Sequence, residues 1–168
     1  MRYINVICAL LLTAATYAQT VRLEVAGNLV ELEAQQTQSE LKPGWKIADV
    51  KLKDKVVRYL WGAHATQLTD DRTPTFVITP AAGQVLCDFA LMQLKSRRNH
   101  RRMAKPELKD NEYSRVEPAT FEMKSDGKQG FVCKPRKPLD KGEYILVYLN
   151  QTPIGELRDL KVYSIQVP

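Results

Sequence analysis

From Lys95 to Lys105 the chain reads Lys-Ser-Arg-Arg-Asn-His-Arg-Arg-Met-Ala-Lys, with six cations and no acid. Guanidinium forks grip carboxylate and phosphate oxygens bidentately, and Arg97, Arg98, Arg101 and Arg102 stand close enough in sequence to act together. Lys95 and Lys105 flank them as point charges. The formal net charge of the chain is +6, and without Arg2 and this segment the remainder falls to about −1. The positive excess therefore belongs to one short stretch. These six residues are the candidate contact with an anionic partner: an acidic glycan, a lipid headgroup or an acidic protein surface. The competing reading is a solvated loop whose charges pair with acids such as Asp70, Asp71, Glu107, Asp110 or Glu112. Nucleic acid is disfavoured, because single-strand binders set aromatic rings beside their cations. The nearest rings in sequence are Phe89 and Tyr113, outside the segment.

Other residue types offer less chemistry. Outside residues 1–18 the cysteines are Cys87 and Cys133, an even pair that predicts one disulfide in an oxidising compartment. Each stands two residues from an aromatic of the same strand face, Phe89 and Phe131, so both are expected in the core. Two cysteines and two scattered histidines, His64 and His100, do not make a metal site, and no cofactor is expected. His64 with Asp70 and Asp71 suggests an acid–base group. However, Thr69-Asp70-Asp71-Arg72-Thr73-Pro74 is better read as turn chemistry. No nucleophile elbow, metalloprotease helix or phosphate-cradling loop occurs, and no pair of acids stands out as a glycosidase couple. Tyr144, Tyr148 and Tyr163, with Trp45 and Trp61, are candidates for a sugar-binding face, although aromatics in strands more often pack in the core. Lys134-Pro135-Arg136-Lys137-Pro138 is a second, smaller basic cluster.

The elements that must position these residues begin after a leader. Met1-Arg2-Tyr3-Ile4-Asn5 carries one positive charge, residues 6–12 are apolar, and small residues stand at Thr16 and Ala18. This is the order of a secretory signal peptide, so cleavage is expected before Gln19. The apolar run is shorter than the roughly 20 residues that span a bilayer. The mature chain, residues 19–168, is then expected as one soluble domain with no transmembrane segment, in the periplasm, on the cell surface or secreted.

Within it, apolar residues recur mainly at period two, the strand signature. Val21, Leu23 and Val25 alternate with polar residues, Ala26-Gly27-Asn28 is a turn, and Val30, Leu32 and Ala34 resume the alternation, which predicts a hairpin. Residues 35–40 are polar. Further strands are expected near 56–61, 75–79, 85–95, 120–123, 130–133, 143–149 and 161–167. The stretch 85–95 is apolar on both faces and reads as a central strand. Turn residues and nine prolines fall mostly between the runs. The fold class is therefore all-β: an antiparallel β-sandwich, immunoglobulin-like or jelly-roll-like, with a small closed barrel as competitor. The basic run is expected as an exposed loop or hairpin tip.

The stretch Pro138-Leu139-Asp140-Lys141-Gly142-Glu143-Tyr144-Ile145-Leu146, with the closing Val162-Tyr163-Ser164-Ile165-Gln166-Val167, resembles the ending of uncharacterised exported β-sandwich proteins of Bacteroidota. Gln19 directly after the cleavage site is similar to that group as well. The resemblance implies an envelope location and supplies no catalytic residues. Taken together, the sequence predicts a non-enzymatic binding or accessory protein of the envelope. The alternatives are a hydrolytic, carbohydrate-processing enzyme on a β scaffold and a purely structural subunit of an envelope assembly.

Overall fold

The computed structural model describes residues 19–42, 46–47, 50–51, 55–85, 88–103, 107–109, 112–114, 121–127, 130–148 and 159–168. Strands β1 (Thr20–Val25), β2 (Asn28–Glu31), β3 (Ala34–Gln36) and β4 (Gln38–Lys42) come first, followed by the short β5 (Lys46–Ile47) and β6 (Val50–Lys51). Then come β7 (Lys55–Trp61), β8 (Phe76–Thr79), β9 (Phe89–Ser96), β10 (His100–Met103), β11 (Glu107–Lys109) and β12 (Glu112–Ser114). The chain closes with β13 (Phe121–Ser125), β14 (Phe131–Pro135), β15 (Gly142–Tyr148) and β16 (Lys161–Val167). Among the described residues no α-helix occurs, and none is long and apolar enough to cross a membrane.

Two antiparallel sheets carry the fold: a five-stranded one, β13-β14-β8-β1-β2, and a seven-stranded one, β3-β16-β15-β9-β10-β7-β4. The edges of the larger sheet are β3 and β4, which are separated in sequence by Thr37 alone. A sheet whose two edges are joined by one residue must curl on itself, so it is nearly closed into a barrel. Thr37 seals the junction: its N–H donates to Leu160 O at 2.9 Å, and its Oγ1 accepts from Leu160 N at 2.8 Å. Sandwich and barrel thus coexist, the five-stranded sheet packing on the barrel wall.

Residue alternation divides the wall strands between two cores. Phe89 and Leu91 of β9, Tyr144, Leu146 and Tyr148 of β15, and Tyr163, Ile165 and Val167 of β16 meet Val21, Leu23, Phe76, Ile78 and Cys133 between the sheets. The intervening Ala90 and Leu94, Ile145 and Val147, and Val162 fill the barrel with Leu60 and Leu160. This is why residues 89–94 carry apolar side chains on both faces, as a central strand requires. The strand begins at Phe89, later than the expected 85, and Val85 lies outside it, half exposed.

The β1–β2 hairpin turns at Ala26-Gly27, where φ is 51° and 81°. Positive φ at both central residues matches the right-handed strand twist. The hairpin is shorter than the sequence alternation suggested. After β2 the chain leaves the five-stranded sheet at Leu32 and Glu33 and enters the barrel, so Ala34 pairs with Tyr163 of β16. The polar residues 35–40 fall largely in β3 and β4, where Gln35 serves the barrel interior and Gln36, Gln38 and Glu40 are exposed.

Candidate functional site: the hairpin β9–β10 and the surface beside it

The basic run folds as β9, a tight turn and β10. Arg97 N–H donates to His100 O at 2.8 Å, and the turn leans on the end of β7, where Gly62 N–H donates to Asn99 O at 3.0 Å. β10 pairs with β9 on one side and β7 on the other, so Arg102 stands opposite both Lys95 and Tyr59, and His100 opposite Trp61. Leu60 and Leu94 face the barrel interior. By alternation Lys95, His100, Arg102, Tyr59 and Trp61 stand on the outer face. Arg97 and Arg98 are exposed in the turn.

The same alternation turns Arg101 inward. It is 1% exposed, and this corrects the expectation that all four arginines share one surface. Arg101 caps the apolar filling of the barrel. Its Nη1 lies 3.5 Å from Oε2 of Glu143, itself 3% exposed. Nε donates to Gly62 O at 3.2 Å, while Nη2 reaches Trp61 O at 3.4 Å and Gln35 Oε1 at 3.5 Å. Ser164 Oγ donates to the same Gln35 oxygen at 2.9 Å. Glu143 also accepts from Ala65 N–H at 2.8 Å and from His64 Nδ1 at 3.0 Å. Burial pulls the Arg101 guanidinium below its ordinary range, and Glu143 opposes that pull by charge and hydrogen bonding. The pair is thus a structural plug.

Lys95, Arg97, Arg98 and Arg102 differ. None of the ion pairs among the described residues involves them; those pairs are His64–Glu143, Arg72–Asp140, Arg101–Glu143 and Lys124–Glu122. Arg102 Nε is buried with no hydrogen-bond partner. Lys105 lies outside the described residues.

Beside these cations the fold places Trp61, grouped in the sequence with the tyrosines of other strands, and Tyr59, which the sequence did not single out. Trp61 is 60% exposed. Tyr59 meets it edge-on, with centroids 5.6 Å apart and planes at 89°, and Tyr59 also contacts His100 at 5.6 Å. Tyr59 and Trp61 lie about 35 residues or more from the basic run, so only the β7–β10 pairing unites them. The available signal was the alternation in β7, which sets both rings on one face. Tyr144, Tyr148 and Tyr163 are buried between the sheets instead, and Trp45 lies outside the described residues.

Cys133 sits in the inter-sheet core, where burial pushes its thiol up to about 11. Among the described residues its thiol is free: its neighbours in register are Phe76 and Met123, and it packs as a small apolar group. Cys87 lies outside the described residues. His64 turns to Glu143, away from Asp70 and Asp71. Asp71 Oδ1 accepts from Thr73 N–H at 2.7 Å and Oγ1 at 3.0 Å, the turn role read from sequence. Near it, Glu24, Asp70, Asp71 and Lys134 line a groove of about 450 Å³ beside the β1–β2 turn. Lys134, Arg136 and Lys137 are exposed on and after β14 of the five-stranded sheet, a different sheet from the basic hairpin.

No family model matches the chain, and no similar protein is found among curated proteins or solved structures.

Proposed function

We propose that this chain is an exported, non-enzymatic binding protein of the cell envelope or its surroundings, and that the outer barrel face at β9–β10 holds an anionic partner. The observation that carries the reading is the contrast among the arginines of one hairpin. Arg101 is neutralised internally by Glu143, whereas Lys95, Arg97, Arg98 and Arg102 enter no ion pair among the described residues. Exposed cations contribute little to folding, since surface ion pairs are worth about 0–1 kcal/mol even when made. Two on the outer face, with two more in the adjoining turn, have a clearer rationale as a field for an anion.

The test replaces Lys95, Arg97, Arg98 and Arg102 by Ser, keeps Arg101, and measures binding to immobilised polyanions across a salt series. Wild-type binding should weaken steeply with salt, because the Debye length falls from about 10 Å at 0.1 M to 3 Å at 1 M. The variant should bind weakly at every salt concentration. Equal binding by both proteins sinks the proposal. Intact-mass measurement of exported material should find a product beginning at Gln19; a retained Tyr3 would remove the envelope from the reading.

A further inference from the structure

Resting on that reading, we infer that the anionic partner is an acidic polysaccharide laid across β7, β10 and β9, with one sugar ring on Trp61 and its carboxylates on Arg102 and Lys95. Three features point there together. Trp61 is open to solvent yet braced by Tyr59, so the indole is held as a platform. An indole face accepts the C–H face of a pyranose, as it accepts other apolar or cationic groups. The cations stand in an order set by strand spacing: β10 is about 5 Å and β9 about 10 Å across the sheet from the strand that carries Trp61. Trp61 stands opposite His100, and the row Tyr59, Arg102, Lys95 lies two residues, about 7 Å, further along the strands. A chain crossing obliquely from Trp61 therefore meets an aromatic ring, a guanidinium and an ammonium in turn, with Arg97 and Arg98 at the hairpin end. Arg102, half-buried between Tyr59 and Lys95, holds the middle of this path. A polymer of uronate rings offers the matching alternation of ring face and carboxylate.

The other polyanions fit less well. A single-stranded nucleic acid stacks successive bases on several rings. Here Tyr59 is turned edge-on to Trp61, and both it and His100 are half-buried in ring contacts. A lipid surface favours an aromatic at an inserting tip, whereas the tip here is Arg97-Arg98-Asn99 and Trp61 lies on the sheet face.

The experiment titrates the mature chain and its Trp61→Ala variant with polygalacturonate, its methyl-esterified neutral form, inorganic polyphosphate, oligo-dT and phosphatidylglycerol vesicles. Polygalacturonate should bind, esterification should abolish binding, and Trp61→Ala should weaken it about tenfold, the usual loss on removing an aromatic anchor. Polyphosphate, which has no ring, should respond to the arginines and ignore Trp61. Undiminished polygalacturonate binding by Trp61→Ala overturns the inference while leaving anion binding intact. So does tighter, Trp61-dependent binding to oligo-dT or vesicles. Failure of every polyanion to bind wild type overturns the underlying reading as well. Because Trp61 is exposed, the variant's unchanged thermal transition serves as the folding control.

Discussion

Replacing Arg101 by Ser should damage stability far more than replacing Arg98, its neighbour three residues away in the same basic run. Arg101 is 1% exposed and Glu143 3%. The substitution leaves the Glu143 carboxylate inside the barrel with only Ala65 N–H and His64, takes the guanidinium donor from Gly62 O and Trp61 O, and leaves Gln35 Oε1 with Ser164 Oγ alone. Breaking a buried pair by removing one partner typically costs about 3–5 kcal/mol, because the survivor is an uncompensated buried charge. For a domain of this size that lowers the Tm by roughly 6–20 °C. Exposed Arg98 should change stability by no more than about 0.5 kcal/mol. Removing both charges, as in Arg101→Met with Glu143→Leu, should recover much of the loss, since no lone charge remains. Thermal and urea unfolding of wild type, the two single variants and the double variant decide the matter. An Arg101→Ser protein as stable as Arg98→Ser, or a double variant worse than either charge removal alone, would refute the plug.

Ala26→Gly should stabilise the domain by up to about 1 kcal/mol: Ala26 sits at φ 51°, where an L side chain costs about 1–2 kcal/mol, partly offset by glycine's larger entropy loss. A lower urea midpoint for the variant would contradict this. Alkaline pH should also weaken the fold. The folded state holds the Cys133 proton up to about 11, against an ordinary 9.0, so its stability contribution is complete below about pH 9 and declines as pH rises through about 11. The full effect is on the order of 2–3 kcal/mol, and Tyr163, pushed up to about 12 chiefly by burial and further by Glu31, adds to it at higher pH. Unfolding at pH 8 and 10.5 should show a shallower decline for Cys133→Ala than for wild type; equal slopes would refute it. Thiol titration at pH 8 should find Cys133 silent when native and both thiols reactive after unfolding without reductant, whereas no thiols at all would reveal a Cys87–Cys133 bridge.

Alternation along single strands was legible in the sequence because the backbone itself imposes period two. It located β7, β8, β14, β15 and β16 and marked the stretch containing β9 as apolar on both faces. What alternation cannot supply is the lateral partner. Residues 35–40 looked like a polar connection, yet Gln35 serves Arg101 and Ser164 inside a barrel that exists only once residues far along the chain arrive. The basic run was visible as charge, but reading it as one surface ignored that neighbours in a strand point to opposite sides. Arg101 and Arg102 were therefore counted together although one plugs the barrel and the other faces outward. Trp61 was set with the tyrosines for the same reason. Its exposure follows from where β7 lies in the sheet, which no local pattern encodes.

The one-residue link between β3 and β4 ties the order of folding to the order of synthesis. Thr37 completes its bonds on Leu160, and β3 pairs with β16, so elements made among the first must wait for elements made among the last. Gln19 waits likewise, its carbonyl accepting from the Tyr163 hydroxyl at 3.0 Å. Contacts spanning more than a hundred residues pay loop-closure entropy before they return anything, which places a chain among the slow folders. Until residues 161–167 have emerged the cylinder has a missing stave, and both edges flanking the gap stand open to whatever strand is nearest.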